Sequence, residues 1–303
     1  MKANFFKTGA LFVASLVVLN TSCSKEDGDT LENEKTSQLP QNILKKALEL
    51  DLDPENIGYE DVTLPDGTTV GLVNTLDDHS IEASEFLDIP VVNGEARQYR
   101  TANLVDTDAF PVIDVYVYND GQFGVSDIVQ QGVIDAAENW NNTFLGSDIE
   151  LRLTFGSDET INTNDGVFEI LVFKANVAPF LATALFPTNA NKPGFLVRVN
   201  TAFNDNPNVG RDFMEHVMTH EIGHAIGFRH TDWNTRQSCV DVGFQDEPSV
   251  ENGNPQLIFG TLPSIPGIIV QEDSLMNACL DNSTDGELSF RDEMALFHLY
   301  SPY

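Results

Sequence analysis

The 303-residue chain carries 16 Lys plus Arg against 47 Asp plus Glu, a formal charge of −31 near neutral pH. An excess of that size argues against nucleic acid and anionic membrane surfaces as partners, because phosphate recognition needs clustered cations. Apolar residues at 41% and charged residues at 21% are ordinary globular values, so the acidity reflects scarce Lys and Arg rather than acidic disorder, and the length is ample for a catalytic domain and a smaller unit.

Lys2 and Lys7 precede an apolar run from Gly9 to Leu19, and Asn20-Thr21-Ser22-Cys23 follow. That is the pattern of a secretory signal, expected over 1–22; the run is too short to cross a bilayer, which needs about 20 apolar residues. Cys23 after small residues resembles a lipoprotein lipobox, with Asn20 where Leu is usual, and Ser24-Lys25-Glu26-Asp27 resembles the acidic tags of outer-face lipoproteins. The expectation is an exported outer-membrane lipoprotein, lipidated on Cys23, with an acidic tether over 23–39. In that compartment Cys239 and Cys279 are expected to pair, two free buried thiols being the alternative.

Helical spacing of Ile43, Leu44, Ala47, Leu48 and Leu50 predicts a short helix from Gln41 to about Leu52. The turn Leu64-Pro65-Asp66-Gly67 and a strand from Thr68 to Val73 follow, so 40–97 reads as a small unit: a pro-region, an accessory module, or an extension of the main domain at 98–303. Strands are predicted at Val112–Tyr118, Ile149–Phe155, Val167–Lys174, Thr183–Phe186 and Phe195–Asn200, with long helices at Val125–Phe144 and Asp212–Gly227. Strands enclosed between two helices suggest a mixed sheet with helices on one side, an α+β arrangement.

The second helix contains His220-Glu221-Ile222-Gly223-His224, then Gly227 and His230. Residues four apart share a helix face, so two imidazoles can meet one ion with Glu221 beside them. His230 lies too far along a continuous helix, and Gly227 can end the helix in the left-handed conformation and turn the chain back. Three imidazoles with a fourth position for water make a catalytic zinc site. The five identities of HExxHxxGxxH arise by chance in such a chain with odds on the order of one in a hundred thousand.

HEIGHAIGFRH, from His220 to His230, resembles the metzincin metallopeptidases, and with Thr231-Asp232-Trp233 it looks like the dual-action HEIGH metallopeptidases, over about Gln98 to Tyr303. The resemblance implies a metzincin-like domain: a mixed, mostly parallel twisted sheet with an antiparallel edge strand, two long helices, and a smaller C-terminal subdomain with a Met-turn and a final helix. It places Met276 of Ser274-Leu275-Met276-Asn277 beneath the imidazoles, the final helix at Arg291–Tyr300, and a substrate-aligning edge strand at Ala182, Thr183, Ala184, Leu185 and Phe186. Ala278 stands where some metzincins carry a Tyr, and His216, one turn before His220, is read as a packing or supporting residue.

The expected activity is zinc-dependent endopeptidase hydrolysis of extracellular proteins or peptides through a zinc-activated water, with Glu221 as general base. The alternative from another class is a non-catalytic surface-binding lipoprotein, against which an intact Glu221 weighs; a gluzincin site is disfavoured by His230. A structural Ca2+ is a weaker expectation near Asn204-Asp205-Asn206 and Asp212. Residues 24–238 contain no Cys, which excludes thiolate latency from that span, and the Asp77-Asp78 pair is a weak candidate for a carboxylate that covers the metal.

Overall fold

The computed structural model describes residues 39–49, 57–74, 78–88, 99–158, 161, 166–232, 238–239, 256–258, 274–280 and 285–301. The residues expected to form a signal and a tether, Cys23, Asp77 and Trp233 lie outside them. The chain runs α1 (Gln41–Glu49), β1 (Gly58–Thr63), β2 (Thr69–Asn74), β3 (His79–Glu82), α2 (Ala83–Asp88), β4 (Tyr99–Arg100), β5 (Ile113–Tyr118), α3 (Asp127–Asn141), β6 (Leu151–Gly156), β7 (Ile170–Ala175), β8 (Ala182–Leu185), β9 (Leu196–Asn200), α4 (Thr201–Asn204), α5 (Arg211–Ala225), β10 (Gln256–Leu257) and α6 (Phe290–Tyr300). No helix among the described residues is long and apolar enough to cross a membrane.

Eight strands form one sheet in the order β1-β2-β3-β8-β9-β7-β5-β6, and β4 pairs with β10 separately. Strands β9, β7, β5 and β6 are parallel, whereas β8 is antiparallel to β9. Strand β3 joins β8 in parallel, and β3, β2 and β1 continue as an antiparallel meander. The two-residue period of the strands sorts their side chains. Val115, Val117, Val172, Val197 and Val199 share a core with the apolar residues of α3 and α5. Tyr116, Tyr118, Leu171, Phe173 and Leu196 form a second core with Val62, Leu64 and Leu72.

Helices α3 and α5 pack on each other. Fully buried Trp140 donates its indole N–H to the Thr219 carbonyl at 3.1 Å, and Asn139 Nδ2 donates to Thr219 Oγ1 at 3.1 Å. Both bonds land one residue before the first histidine of the motif, so α3 braces the helix that carries the chemistry.

The predicted long helices form with boundaries shifted by one to three residues, and the predicted strands shift by up to three residues. Strands β1 to β3 extend the sheet of the main domain, within the compact unit Ser37–Tyr303. Buried Arg198 on β9 ties them on, with Nη1 to Glu60 Oε1 at 2.7 Å, Nη2 to Ser80 Oγ at 3.3 Å and Nε to Thr183 Oγ1 at 3.1 Å. The expected edge strand at 182–186 is consequently not an edge in this chain: β8 lies between β9 and β3. Strand β3, which sequence periodicity does not predict, has four residues, too few to show a period.

Candidate metal centre

Helix α5 presents His220 and His224 from its buried side, one turn apart. It ends in a Schellman turn: Gly227 N–H donates to the His224 carbonyl and Phe228 N–H to the Gly223 carbonyl, both at 2.9 Å. Gly227 has φ 106°, and a Cβ there would stand 3.0 Å from Leu104 Cδ2 and 3.1 Å from Thr101 Oγ1. Beyond the turn the backbone pairs with residues 99–101, Thr101 N–H donating to the Gly227 carbonyl and Arg229 N–H to the Tyr99 carbonyl, each at 3.0 Å. That pairing fixes the segment that returns His230 to the helix.

His220 Nδ1 lies 2.7 Å from the Leu275 carbonyl and His224 Nδ1 lies 2.8 Å from the Phe228 carbonyl. A carbonyl only accepts, so both Nδ1 atoms carry protons and both Nε2 atoms present lone pairs. His230 Nε2 stands 3.1 Å from His220 Nε2 and 3.2 Å from His224 Nε2. Nitrogens bound tetrahedrally at about 2.0–2.1 Å lie roughly 3.3 Å apart, so the three imidazoles have the spacing of a four-coordinate metal site.

Asp78 closes the group. Its Oδ1 is 3.1 Å from His230 Nε2 and 3.6 Å from His224 Nε2, and its Oδ2 is 3.5 Å from His220 Nε2. The ligand atoms of Asp78, His220, His224 and His230 lie within 4.8 Å of one another, the sole such convergence of His, Cys, Asp and Glu among the described residues. Facing lone pairs on imidazole and carboxylate repel unless a cation sits among them, so the donor set fits a divalent metal ion.

Burial, then the neighbouring His220, pushes His224 down to about 4, which keeps it a neutral lone-pair donor. Burial, reinforced by the Asp78 carboxylate, raises Glu221 well above the usual carboxylate range. For Asp78 burial opposes ionisation, but positive charge on the facing imidazoles, His230 foremost, holds it well below that range, and a bound cation would take the place of that charge. Glu221 is buried, and its Oε2 has no hydrogen-bond partner among the described residues. It borders a cavity of about 330 Å³ whose walls include Phe180, Phe213, Val217 and Leu280 as well as Asp78 and His220.

A family model described as dual-action HEIGH metallo-peptidase matches residues 73–300. The chain belongs to the dual-action HEIGH metallopeptidase family. No curated protein matches it. Two solved structures of myroilysin are similar to it at 15% identity, with TM-scores of 0.36 and 0.35; each covers 63% of this chain, and 80% and 83% of the myroilysin chains.

In this dual-action HEIGH metallopeptidase the segment from Ser274 to Asn277 packs under the imidazoles. Met276 is buried, and a Cβ on Gly223 would lie 2.6 Å from its Sδ. Gly223 therefore lets the helix approach the methionine. Thr231 N–H donates to the Met276 carbonyl at 2.7 Å, Ser274 Oγ to Asp292 Oδ1 at 2.6 Å and Leu275 N–H to Asp292 Oδ2 at 3.0 Å. Asp292 also completes the capping box of α6 with Ser289. Asp232 accepts from Ala278 N–H at 2.9 Å and from Ser238 N–H at 2.8 Å, and Cys239 and Cys279 form a disulfide beside them.

These contacts aim the Leu275 carbonyl at His220. In the sequence Asp232 stands only as part of the extended motif, and the signal for Asp292 is Ser289-x-x-Asp292 ahead of the apolar residues of α6. His216 is buried with its ring 6.5 Å from that of His220, outside the convergent four. Ala278 offers its backbone N–H to Asp232. Near the expected calcium position, Asn204 Oδ1 accepts from Ser126 N–H at 2.7 Å and Asn206 Oδ1 from Asn208 N–H at 3.0 Å. Asp212 lines a different, acidic cavity with Asp135 and Glu215.

Proposed function

We propose that this metallopeptidase is a zinc-dependent endopeptidase of extracellular proteins and peptides, with His220, His224 and His230 as metal ligands and Glu221 as general base. One observation carries the reading: His230 Nε2 lies 3.1–3.2 Å from the Nε2 atoms of His220 and His224, and the buried Glu221 Oε2, next in sequence to His220, has no hydrogen-bond partner among the described residues. When bound there, zinc supplies Lewis acidity and a water of lowered pKa. Glu221 Oε2 accepts a proton from the hydrolytic water and returns it to the departing amine. The Leu275 and Phe228 carbonyls hold the imidazole tautomers fixed meanwhile.

The apolar walls of the neighbouring cavity favour an apolar substrate side chain next to the scissile bond. The signal-like residues 1–22 and Cys23 support export and a lipid anchor in the outer membrane, and the Cys239–Cys279 disulfide suits that compartment.

The test is zinc per chain by elemental analysis, together with cleavage of a peptide library by the full chain before and after chelation and zinc return. One zinc per chain and chelator-reversible internal cleavage are expected. Stoichiometric zinc without any cleavage would instead favour the binding-lipoprotein reading.

A further inference from the structure

The face of the site that must receive substrate is filled by the chain itself. Asp78 directs both carboxylate oxygens at the three Nε2 atoms, at 3.1–3.6 Å. Its position is fixed by the backbone that follows it. Ala184 N–H of β8 donates to the Asp78 carbonyl at 3.2 Å, and the next residues pair with β8 in register, His79 with Ala184 and Ser80 with Leu185. Ser80 is held in turn by Arg198 at 3.3 Å and donates to Asn74 Oδ1 at 2.6 Å. The Asp78 side chain is 19% exposed.

From this arrangement we infer that Asp78 is the fourth metal ligand of the full-length chain and that residues 78–82 act as a built-in competitor of substrate. Two requirements of peptide hydrolysis are blocked by one short segment. A carboxylate oxygen bound to the ion takes the position that water needs, and β3 takes the edge of β8 that an extended peptide would use. A carboxylate is the ligand type suited to this place, since zinc accepts Asp oxygen alongside imidazole nitrogen. The tether is intramolecular, so the competitor acts at an effective concentration that a free peptide must exceed. The inference rests on the metallopeptidase reading for the metal but not for turnover.

The test uses the full chain reconstituted with cobalt, as the wild type, Asp78→Ala, the shape-conserving Asp78→Asn, and Asp78→Ala with Glu221→Gln. Cobalt d–d absorption reports the ligand set directly, and the affinity of a small hydroxamate reports access to the ion. Loss of Asp78 is expected to move the absorption bands, to weaken zinc retention against a chelator by about 10-fold or more, and to tighten hydroxamate binding. Peptide cleavage is expected to rise in both single variants and to vanish in the double variant.

Unchanged cobalt spectra and hydroxamate affinity in both folded single variants would overturn the inference. Changed spectra without cleavage in any variant would leave Asp78 as a ligand and overturn the peptidase reading alone. A chain that takes up no cobalt would overturn both.

Discussion

Gly223, inside the HEIGH motif, offers a direct test of how the helix and the methionine turn support each other. Replacing it with Ala adds one methyl group that would stand 2.6 Å from Met276 Sδ, 3.0 Å from Trp140 Cζ2 and 3.2 Å from Met276 Cε. Carbon and sulfur normally approach no closer than about 3.5–4.0 Å, so the methyl must displace Met276 or the helix by roughly 1 Å. Both neighbours are buried, so neither can move into solvent. Overpacking of this kind costs about 1–3 kcal/mol, against which the higher helix propensity of Ala returns up to about 1 kcal/mol.

The expected net loss is about 1–2 kcal/mol in urea denaturation, with weaker zinc retention because His220 and His224 flank the displaced turn. Met276→Ala alone should cost about 2–5 kcal/mol by leaving a cavity. Combining the two should recover part of the sum, since the added methyl enters the vacated space, giving a coupling of about 1 kcal/mol or more. A Gly223→Ala chain as stable as the parent, or strict additivity in the cycle, would refute the packing argument.

Glu221→Gln should retain zinc while lowering cleavage by about 10²–10⁴-fold, measured as kcat/KM beside metal content. Breaking the Cys239–Cys279 bridge, whose ends are 40 residues apart, should destabilise the chain by about 4 kcal/mol from loop entropy, read by urea denaturation of Cys239→Ser with Cys279→Ser. Glu215 is raised to about 7 by burial, with Asp135 and Glu287 adding to the effect. A raised folded-state pKa means stability that is complete below the unfolded value of about 4.3 and lost as pH rises through 7. Melting temperature should therefore fall between pH 5 and pH 8, and Glu215→Gln should flatten that part of the profile.

The sequence disclosed the centre of the site because its determinants are local. His220, Glu221 and His224 share one helical turn, and Gly227 marks the reversal that returns His230. The central strands were legible for the same reason, since β5, with most of its side chains buried, shows as an apolar run. What could not be read depends on partners distant in the chain. Strand β1 buries one side chain, Val62, and therefore has no period to detect. Asp78 carries no motif, and its contact with the imidazoles exists only because β3 pairs with β8 more than a hundred residues away. Asp232 and Asp292 likewise act through bonds to the turn at 274–278 that no spacing rule encodes.

The central claim is that hydrolysis at the three-histidine centre depends on Glu221, and one rate comparison addresses it. Zinc-reconstituted Asp78→Ala and Asp78→Ala with Glu221→Gln are given the same internally quenched peptide with an apolar residue after the central bond. The account predicts cleavage of the internal bond by the first chain and a loss of at least about 100-fold in the second at equal zinc content. Equal rates in the two chains, or no cleavage by either, would contradict it.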